Sequence, residues 1–373
     1  MHQQQFPKLS EIAWPTTLFL CLVPIIGVFG TAIAIYQEGF SWSLLFFSII
    51  FAGATSLSMT LGYHRLFSHR SFEAHSLVRR LLIIFSTCSW QSSILKWCTD
   101  HRVHHSQIDS DEDPYSINKG FWYAHFGWML FKNSPDFQLG CPDLQKDAWI
   151  RFQNQFYIPL ALITGFVFPW AIGAWLGHPL TGLFMAGALR IGFTQQTTFF
   201  VNSLCHTLGN KPYSENISAR DSWIVAFLTH GEGYHNFHHQ FQIDYRNGVA
   251  WWQWDPTKWS IRLLSIMGLA SHLRTVSSTE ILKARLQMDA MKLKSKGYSQ
   301  EKLEQLKDRV LTSQMRLRQL VADYQALKKQ WKDQSQEKMQ QLRAEIKLAK
   351  LELNFTLKRW HTLINSPVVL LSI

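Results

Sequence analysis

Four apolar stretches punctuate the first 201 residues, at about 15–36, 42–62, 156–177 and 179–201. Each is roughly 20 residues long, which carries an α-helix across a hydrocarbon layer of about 30 Å. Backbone inside lipid must satisfy its own hydrogen bonds, so the pattern predicts membrane-spanning helices. Arg190 interrupts the fourth stretch. Residues 76–97 are also fairly apolar, but they are expected to lie in the membrane interface or against the polar part of the fold. A fifth span there would separate polar groups that belong together.

The pattern changes after about residue 276. Between Tyr298 and Ser366 there is no Gly or Pro. Leu303, Leu306, Val310, Leu317, Leu320, Tyr324, Leu327 and Trp331 recur at three- and four-residue steps, with Ser313 at one weak position. That is a heptad seam. A second seam runs through Met339, Leu342, Ile346, Ala349 and Leu353. The register slips near 333–335, so the tail either folds back as a helical hairpin or continues with a stutter.

Charge refines this division. From Val276 onward there are 19 Lys/Arg against 10 Asp/Glu, a net of +9 out of the chain's +11. The charge is spread along amphipathic helix rather than concentrated in a patch, so nucleic acid is not an expected partner. A basic tail of this kind suits anionic lipid headgroups. The short loops 37–41 and 177–178 carry no Lys or Arg, whereas the long segment between the second and third stretches is rich in them. The positive-inside rule then makes that segment and both termini cytoplasmic. The start of the chain lacks the basic region and cleavage site of a signal peptide. Five cysteines without a CxxC pair fit a reducing compartment.

The chemistry resides in histidine. Nine of the sixteen fall in four groups: HRLFSH (His64, His69), HRVHH (His101, His104, His105), NSLCH (Asn202, His206) and HNFHH (His235, His238, His239). Residues three and four apart share a helix face. Each HxxHH group therefore gathers its imidazoles. His64 and His69 stand roughly 140° apart on an α-helix. They converge only if the helix ends or unwinds, unless they bind different ions. Nine imidazoles exceed the four ligands or so of a single zinc, and suit two ions with four or five ligands each. Cys98 and Cys205 adjoin these groups, which leaves thiolate ligation open. His2, His178, His272 and His361 read as ordinary core or surface residues.

The stretches LGYHRLFSHRSFEAH, WCTDHRVHHSQIDSDEDPY, VNSLCHTLGNKPYSENISARDSW and GEGYHNFHHQFQIDYRNG resemble the integral-membrane fatty acid desaturases of the acyl-CoA (stearoyl-CoA, Δ9) type. The resemblance covers about residues 10–285. It implies an all-α membrane protein: four transmembrane helices and a cytoplasmic helical cap carrying a dimetal site, here with a C-terminal coiled-coil or hairpin extension. The expected division is an N-terminal cytoplasmic segment 1–14, a desaturase domain 15–285, a basic helical tail 286–366 and an end 367–373. The resemblance further implies two iron ions, with zinc as a substitute in purified protein. The nine grouped histidines are the implied ligands, and Asn202 acts through water.

Around that centre, Asp100, Glu232 and Asp221 are candidates to orient ligating imidazoles. An acyl tunnel is implied at Ala52, Ser56, Gln91, Trp97, Thr198 and Phe199. Phe199 departs from the family, which usually has Trp there. Arg102, Lys132 and Arg151 are candidate coenzyme A contacts, although Lys132-Asn133 replaces an Arg-Lys pair of the animal enzymes. The implied reaction inserts a cis double bond into a fatty acyl-CoA using dioxygen and two electrons. No HPGG, GxGxxG or ferredoxin cysteine cluster is fused to the chain, so electrons are expected from a separate cytochrome b5 or ferredoxin. An acyl-lipid desaturase or a hydroxylase shares the site's logic. A catalytically dead scaffold acting through its tail belongs to a different class; a homo-oligomer formed through the coiled coil is a candidate assembly.

Overall fold

The computed structural model describes residues 9–131, 140–329 and 336–365. The chain forms two compact units, one of residues 1–211 with 216–275 and one of residues 212–215 with 276–373. The long run of the second unit starts at Val276.

In the first unit, three helices are long and apolar enough to cross a membrane: α1 (Trp14–Glu38), α2 with its extension (Trp42–Ser68) and α5 (Tyr157–Trp175). Between them lie α3 (Ser76–Thr87) and α4 (Ile94–Gln107). The apolar segment 76–97 is therefore broken in two, and α3 at 12 residues is too short to span. It packs against α2 and exposes Leu77, Leu81 and Ile84.

The fourth apolar stretch is helical without a break through Pro179–Thr181, Gly182–Leu189 and α6 (Arg190–Thr207). It is not among the three that qualify as spans. Arg190 and the polar run 194–198 lower its hydropathy, and the fold accommodates the arginine. Its Nε donates to Ala186 O, Nη1 to Thr55 Oγ1 and Cys88 O, and Nη2 to Gly165 O, with Phe51 4.3 Å beneath the guanidinium. A buried cation costs much unless its donors are satisfied. Close approach of helices is fixed by glycine. A Cβ on Gly173 would stand 2.8 Å from Gly182 Cα, and one on Gly182 2.7 Å from Gly173 Cα. Small residues allow this packing where lipid offers no hydrophobic drive.

The unit closes with α7 (His235–Gln240) and α8 (Pro256–Ile266). Its only sheet among the described residues is a two-residue pair, β1 (Glu73–Ala74) against β2 (Ala270–Ser271), a small departure from the all-α expectation.

The second unit holds α9 (Ser278–Ser295), α10 (Gln300–Lys329) and α11 (Gln336–Asn365). α10 and α11 pack antiparallel, as Arg316–Glu352 at 3.4 Å and Arg343 Nε to Tyr324 OH at 2.9 Å show. The tail is a helical hairpin. The register slip and Trp331 lie outside the described residues. Leu303, Val310 and Ser313 of the first seam and Met339, Ala349 and Leu353 of the second are buried. Leu286, Ala290 and Leu293 of α9 join the same core. The heptad stripe is thus filled from within the chain rather than left for another copy. Trp360 is fully buried there, and its indole donates to Asp289 Oδ2 at 3.1 Å.

Replacing Trp360 with Ala should cost about 3–5 kcal/mol, the usual penalty for emptying a core aromatic site. Far-ultraviolet circular dichroism melts of wild type and variant check this. An unchanged melting profile would show that the bundle does not rest on this core.

Candidate metal centre

Each of the four histidine groups sits on a helix or helix end. The first group occupies the extension of α2, Met59–Ser68, which widens into π-helix. There the His69 N–H donates to His64 O at 3.1 Å, an i→i+5 bond. A π turn brings residues five apart toward one face, and such turns are frequent at functional sites. The two rings consequently approach to 4.7 Å. The α-helical angle that separated them in the sequence is removed by widening the helix, not by ending it.

The nine imidazoles fall into two sets. His64, His69, His101, His105 and His238 form one, and His104, His206, His235 and His239 the other. Within the first, Nε2–Nε2 distances are 2.8 Å (His69–His101), 3.0 Å (His64–His238) and 3.0 Å (His238–His105). Within the second they are 3.0 Å (His239–His235), 3.2 Å (His235–His206) and 3.3 Å (His104–His239). Nitrogens held about 2.1 Å from a common cation at octahedral or tetrahedral angles stand about 3.0–3.4 Å apart. The donor sets therefore fit one cation each. A HxxHH group does not serve a single ion: His104 faces the second set while His101 and His105 face the first. Asn202 lies one turn before His206 on α6 and lines the same cavity as His235.

Protonation supports this. Burial and the neighbouring imidazoles hold His69, His101, His105, His235, His238 and His239 well below the ordinary histidine range. Burial, with His104 beside it, does the same for His206. Neutral imidazole is the metal-binding form.

The other ring nitrogen of several ligands is anchored. His64 Nδ1 meets Glu232 Oε2 at 2.7 Å, His104 Nδ1 meets Asp113 Oδ1 at 2.9 Å, His206 Nδ1 meets Ser218 Oγ at 2.6 Å, and His101 Nδ1 meets Tyr115 OH at 3.2 Å. Ser218 is in turn held by Asp109. Such partners fix ring orientation and raise ligand basicity.

Glu232 is the hub of a buried network. Arg65 Nε and Nη2 donate to its Oε1 at 3.2 and 3.1 Å, and Asn247 Nδ2 donates to its Oε2 at 2.8 Å. Arg65 also pairs with Asp255, whose carboxylate accepts the amides of Asn247, Gly248 and Lys258. Burial opposes ionisation of Glu232, but His64 and Arg65 outweigh it and hold the carboxyl below its usual range. The flanking glycines make room for this. Gly231 has φ +107°, and a Cβ there would meet Asp255 Oδ1 at 2.5 Å.

The other two expected carboxylates are engaged as well. Asp221 accepts the amides of Asn236 and Phe237, and so fixes the first turn of α7. Asp100 pairs with Lys96 at 2.8 Å. Arg102 forks onto Asp143 at 2.7 and 2.9 Å and donates to Phe67 O and Ser68 O. It thereby closes the end of the widened helix, and its fork is engaged inside the protein rather than offered to a phosphate. Arg151 donates to Gln145 O and Lys146 O. Lys132 lies outside the described residues. Cys98 and Cys205 donate to Tyr63 O and Gly233 O, and burial pushes both thiols up, so they stand as thiols outside both ligand sets.

A cavity of about 710 Å³ adjoins the centre. Ser56, Gln91, Trp97, Thr198 and Phe199 line it, as do His64, His101, His104 and His235; Ala52 is not among the lining residues. Trp97 stacks on His101 at 4.8 Å, and Gln91 Nε2 donates to Thr198 Oγ1 at 3.0 Å. His230 Nδ1 meets Ser56 Oγ at 3.1 Å, a contact that sequence reasoning missed. His125, also missed, bonds Ser203 and Gln196 behind Phe199. Asp109, Asp113, Tyr115, Ser218 and Arg65 were missed as well, although all five fall inside the histidine-bearing stretches quoted from the sequence.

These features coincide with a known family. Residues 40–265 match the fatty acid desaturase family model. The chain is 40% identical over 290 residues to acyl-CoA desaturase 1 of Saccharomyces cerevisiae, covering 77% of this chain and 56% of that one. It is 33% identical over 276 residues to sn-1 stearoyl-lipid 9-desaturase of Synechocystis, covering 73% and 83%. It is 31% identical over 283 residues to human stearoyl-CoA desaturase, covering 74% and 78%. The match spans little more than half the length of the Saccharomyces relative, 56%, and of a probable acyl-CoA desaturase of Schizosaccharomyces pombe, 58%. The chain belongs to the fatty acid desaturase family and resembles its acyl-CoA desaturase members.

Glu232→Gln and Asp113→Asn should each lower metal affinity by about 10–100-fold, the usual cost of losing a partner behind a ligating histidine. Competition with a chromophoric chelator measures it, with the exposed Glu73→Gln as reference. Unchanged affinity in both variants would remove the orienting role.

Proposed function

We propose that this protein is an oxygen-dependent acyl-CoA desaturase that places a cis double bond, of the Δ9 type, in a saturated long-chain acyl thioester. The observation that carries the reading is the juxtaposition of two imidazole sets with a cavity walled by four of the ligands. A pocket of this size matches a small-molecule site. Two iron ions are the proposed occupants, since imidazole suits iron and zinc alike. When bound, they would supply the oxidising power that hydrogen removal from a methylene needs and that no side chain has. The reaction consumes dioxygen, two electrons and two protons and releases two waters. A separate cytochrome b5- or ferredoxin-type carrier is the proposed source of electrons.

The chain's own residues bind, orient and exclude water. Trp97, stacked on His101, presents a flat wall where the acyl chain passes the ligands. The Gln91–Thr198 bond ties the loop before α4 to α6 and fixes the shape of the cavity between them. Ser56 lies two helical turns before His64, roughly 12 Å along α2. That leaves room for the chain beyond the reacting carbons. The four-span topology with a cytoplasmic centre belongs to the same proposal. It draws support from the charge distribution of the loops and from three helices able to cross a membrane.

An acyl-lipid substrate is the second reading. The Synechocystis relative is named for a lipid substrate, and the Arg102 fork is already engaged by Asp143.

Expression in a desaturase-deficient host, with gas chromatography of its fatty acids, tests the activity. Wild type should restore a monounsaturated product, and His101→Ala, His206→Ala and His239→Ala should abolish it. Full activity in all three would sink the proposal. Feeding acyl-CoA or lipid-bound chains to purified protein separates the two readings.

Ser56→Phe should cost the longer of sixteen- and eighteen-carbon chains about 1–3 kcal/mol of binding through overpacking. The expected result is a shift toward the shorter chain at preserved turnover. Equal loss on both would make Ser56 a packing residue.

A further inference from the structure

The tail lies beyond the residues matched to the family, and α11 carries more apolar surface than its bundle uses. One face, with Met339, Ala349, Leu353 and Trp360, is buried. On the opposite face, Leu348, Leu351 and Phe355 stand 65%, 58% and 63% exposed. These three are spaced i, i+3 and i+7, a continuous stripe over two turns. Solitary exposed apolar residues need no explanation, but a stripe on a helix whose other face is already packed does.

Its surroundings state what covers it. Lys347, Lys358 and Arg359 border the stripe, and the Arg359 guanidinium lies 5.9 Å from the Phe355 ring. Glu352, on the same border as Arg359 and seven residues before it, is paired with Arg316. The stripe therefore meets its surroundings with net positive charge, in a tail that carries 19 Lys/Arg against 10 Asp/Glu. A second copy would bring the same excess of positive charge to the same place. An anionic surface complements it, and this polypeptide also contains three helices able to cross a membrane.

We propose that the outer face of α11 is a membrane-docking surface for anionic lipid, with Leu348, Leu351 and Phe355 seated among the headgroups and the flanking lysines and arginine on the phosphates. An amphipathic helix of this make-up binds through buried apolar area plus attraction to anionic lipid. Each basic residue near such a surface adds to that attraction. The surface is independent of the chemistry proposed for the metal centre.

The test uses the full chain, one copy per nanodisc. An environment-sensitive NBD label is placed at Ala344→Cys, an exposed position one turn before Leu348, in a Cys21→Ser background. Cys21 is the one exposed cysteine, and the other four are buried. In discs with about 30 mol% phosphatidylglycerol, emission should shift to the blue and be quenched by doxyl-labelled lipid, and high salt should reverse both. In pure phosphatidylcholine the shift should be absent. The variant Leu348→Ser/Leu351→Ser/Phe355→Ser should lose the shift while keeping wild-type helicity and melting. Equal emission in the two lipids would overturn the proposal. So would a shift seen only when two chains share a disc, which would assign the face to a second copy.

Discussion

Nine imidazole nitrogens converging on two points form an arrangement that no protein packs for its own sake. Each Nε2 presents a lone pair or a hydrogen to several others about 3 Å away, and neutral rings cannot all satisfy one another at that distance. Buried polar atoms without partners cost on the order of 1–3 kcal/mol each. A cation in each set turns the same convergence from a cost into a bond. The rest of the first unit can be understood as what is needed to hold those nitrogens in place. The widened turn at Met59–Ser68 sacrifices regular helix so that His64 and His69 share a face. α4 divides its three ligands between the two sets. Asp221 fixes the first turn of α7 so that its three ligands point inward.

Behind the ligands lies a second layer of buried charge. His64, Glu232, Arg65 and Asp255 form one connected chain that links the first histidine group to the loop before α7 and to the start of α8. Ion pairs taken out of water recover their desolvation cost only with good geometry and full hydrogen bonding. Here Arg65 is fully engaged, and Glu232 accepts on both oxygens. Removing one member would strand the others, so the layer also enforces the relative placement of elements far apart in sequence.

Three of the four apolar helices, the clustering of the nine histidines and Glu232 beside His64 were legible in the sequence, because each rests on a local rule of apolar run length, i,i+4 spacing or motif. What it hid depends on tertiary contact. The division of His101, His104 and His105 between two sets follows from how α4 lies between the other groups. Arg65, Ser218 and His230 act across separations of 167, 12 and 174 residues, so the partner that gives each its role is set by the fold. Arg102, a cation near the centre, also has a structural part that only the fold reveals: it closes a helix end. In the tail, heptad spacing revealed the inner seam of α11, but its outer stripe became visible only once the inner one was seen to be filled.

Metal-edge X-ray absorption on the purified protein tests the central claim most directly, together with metal quantitation. Two cations per chain, each with a nitrogen-dominated shell near 2.0–2.2 Å and the outer-shell scattering of several imidazoles, is the predicted result. One cation per chain, or a shell dominated by carboxylate oxygen or thiolate sulfur, would contradict it.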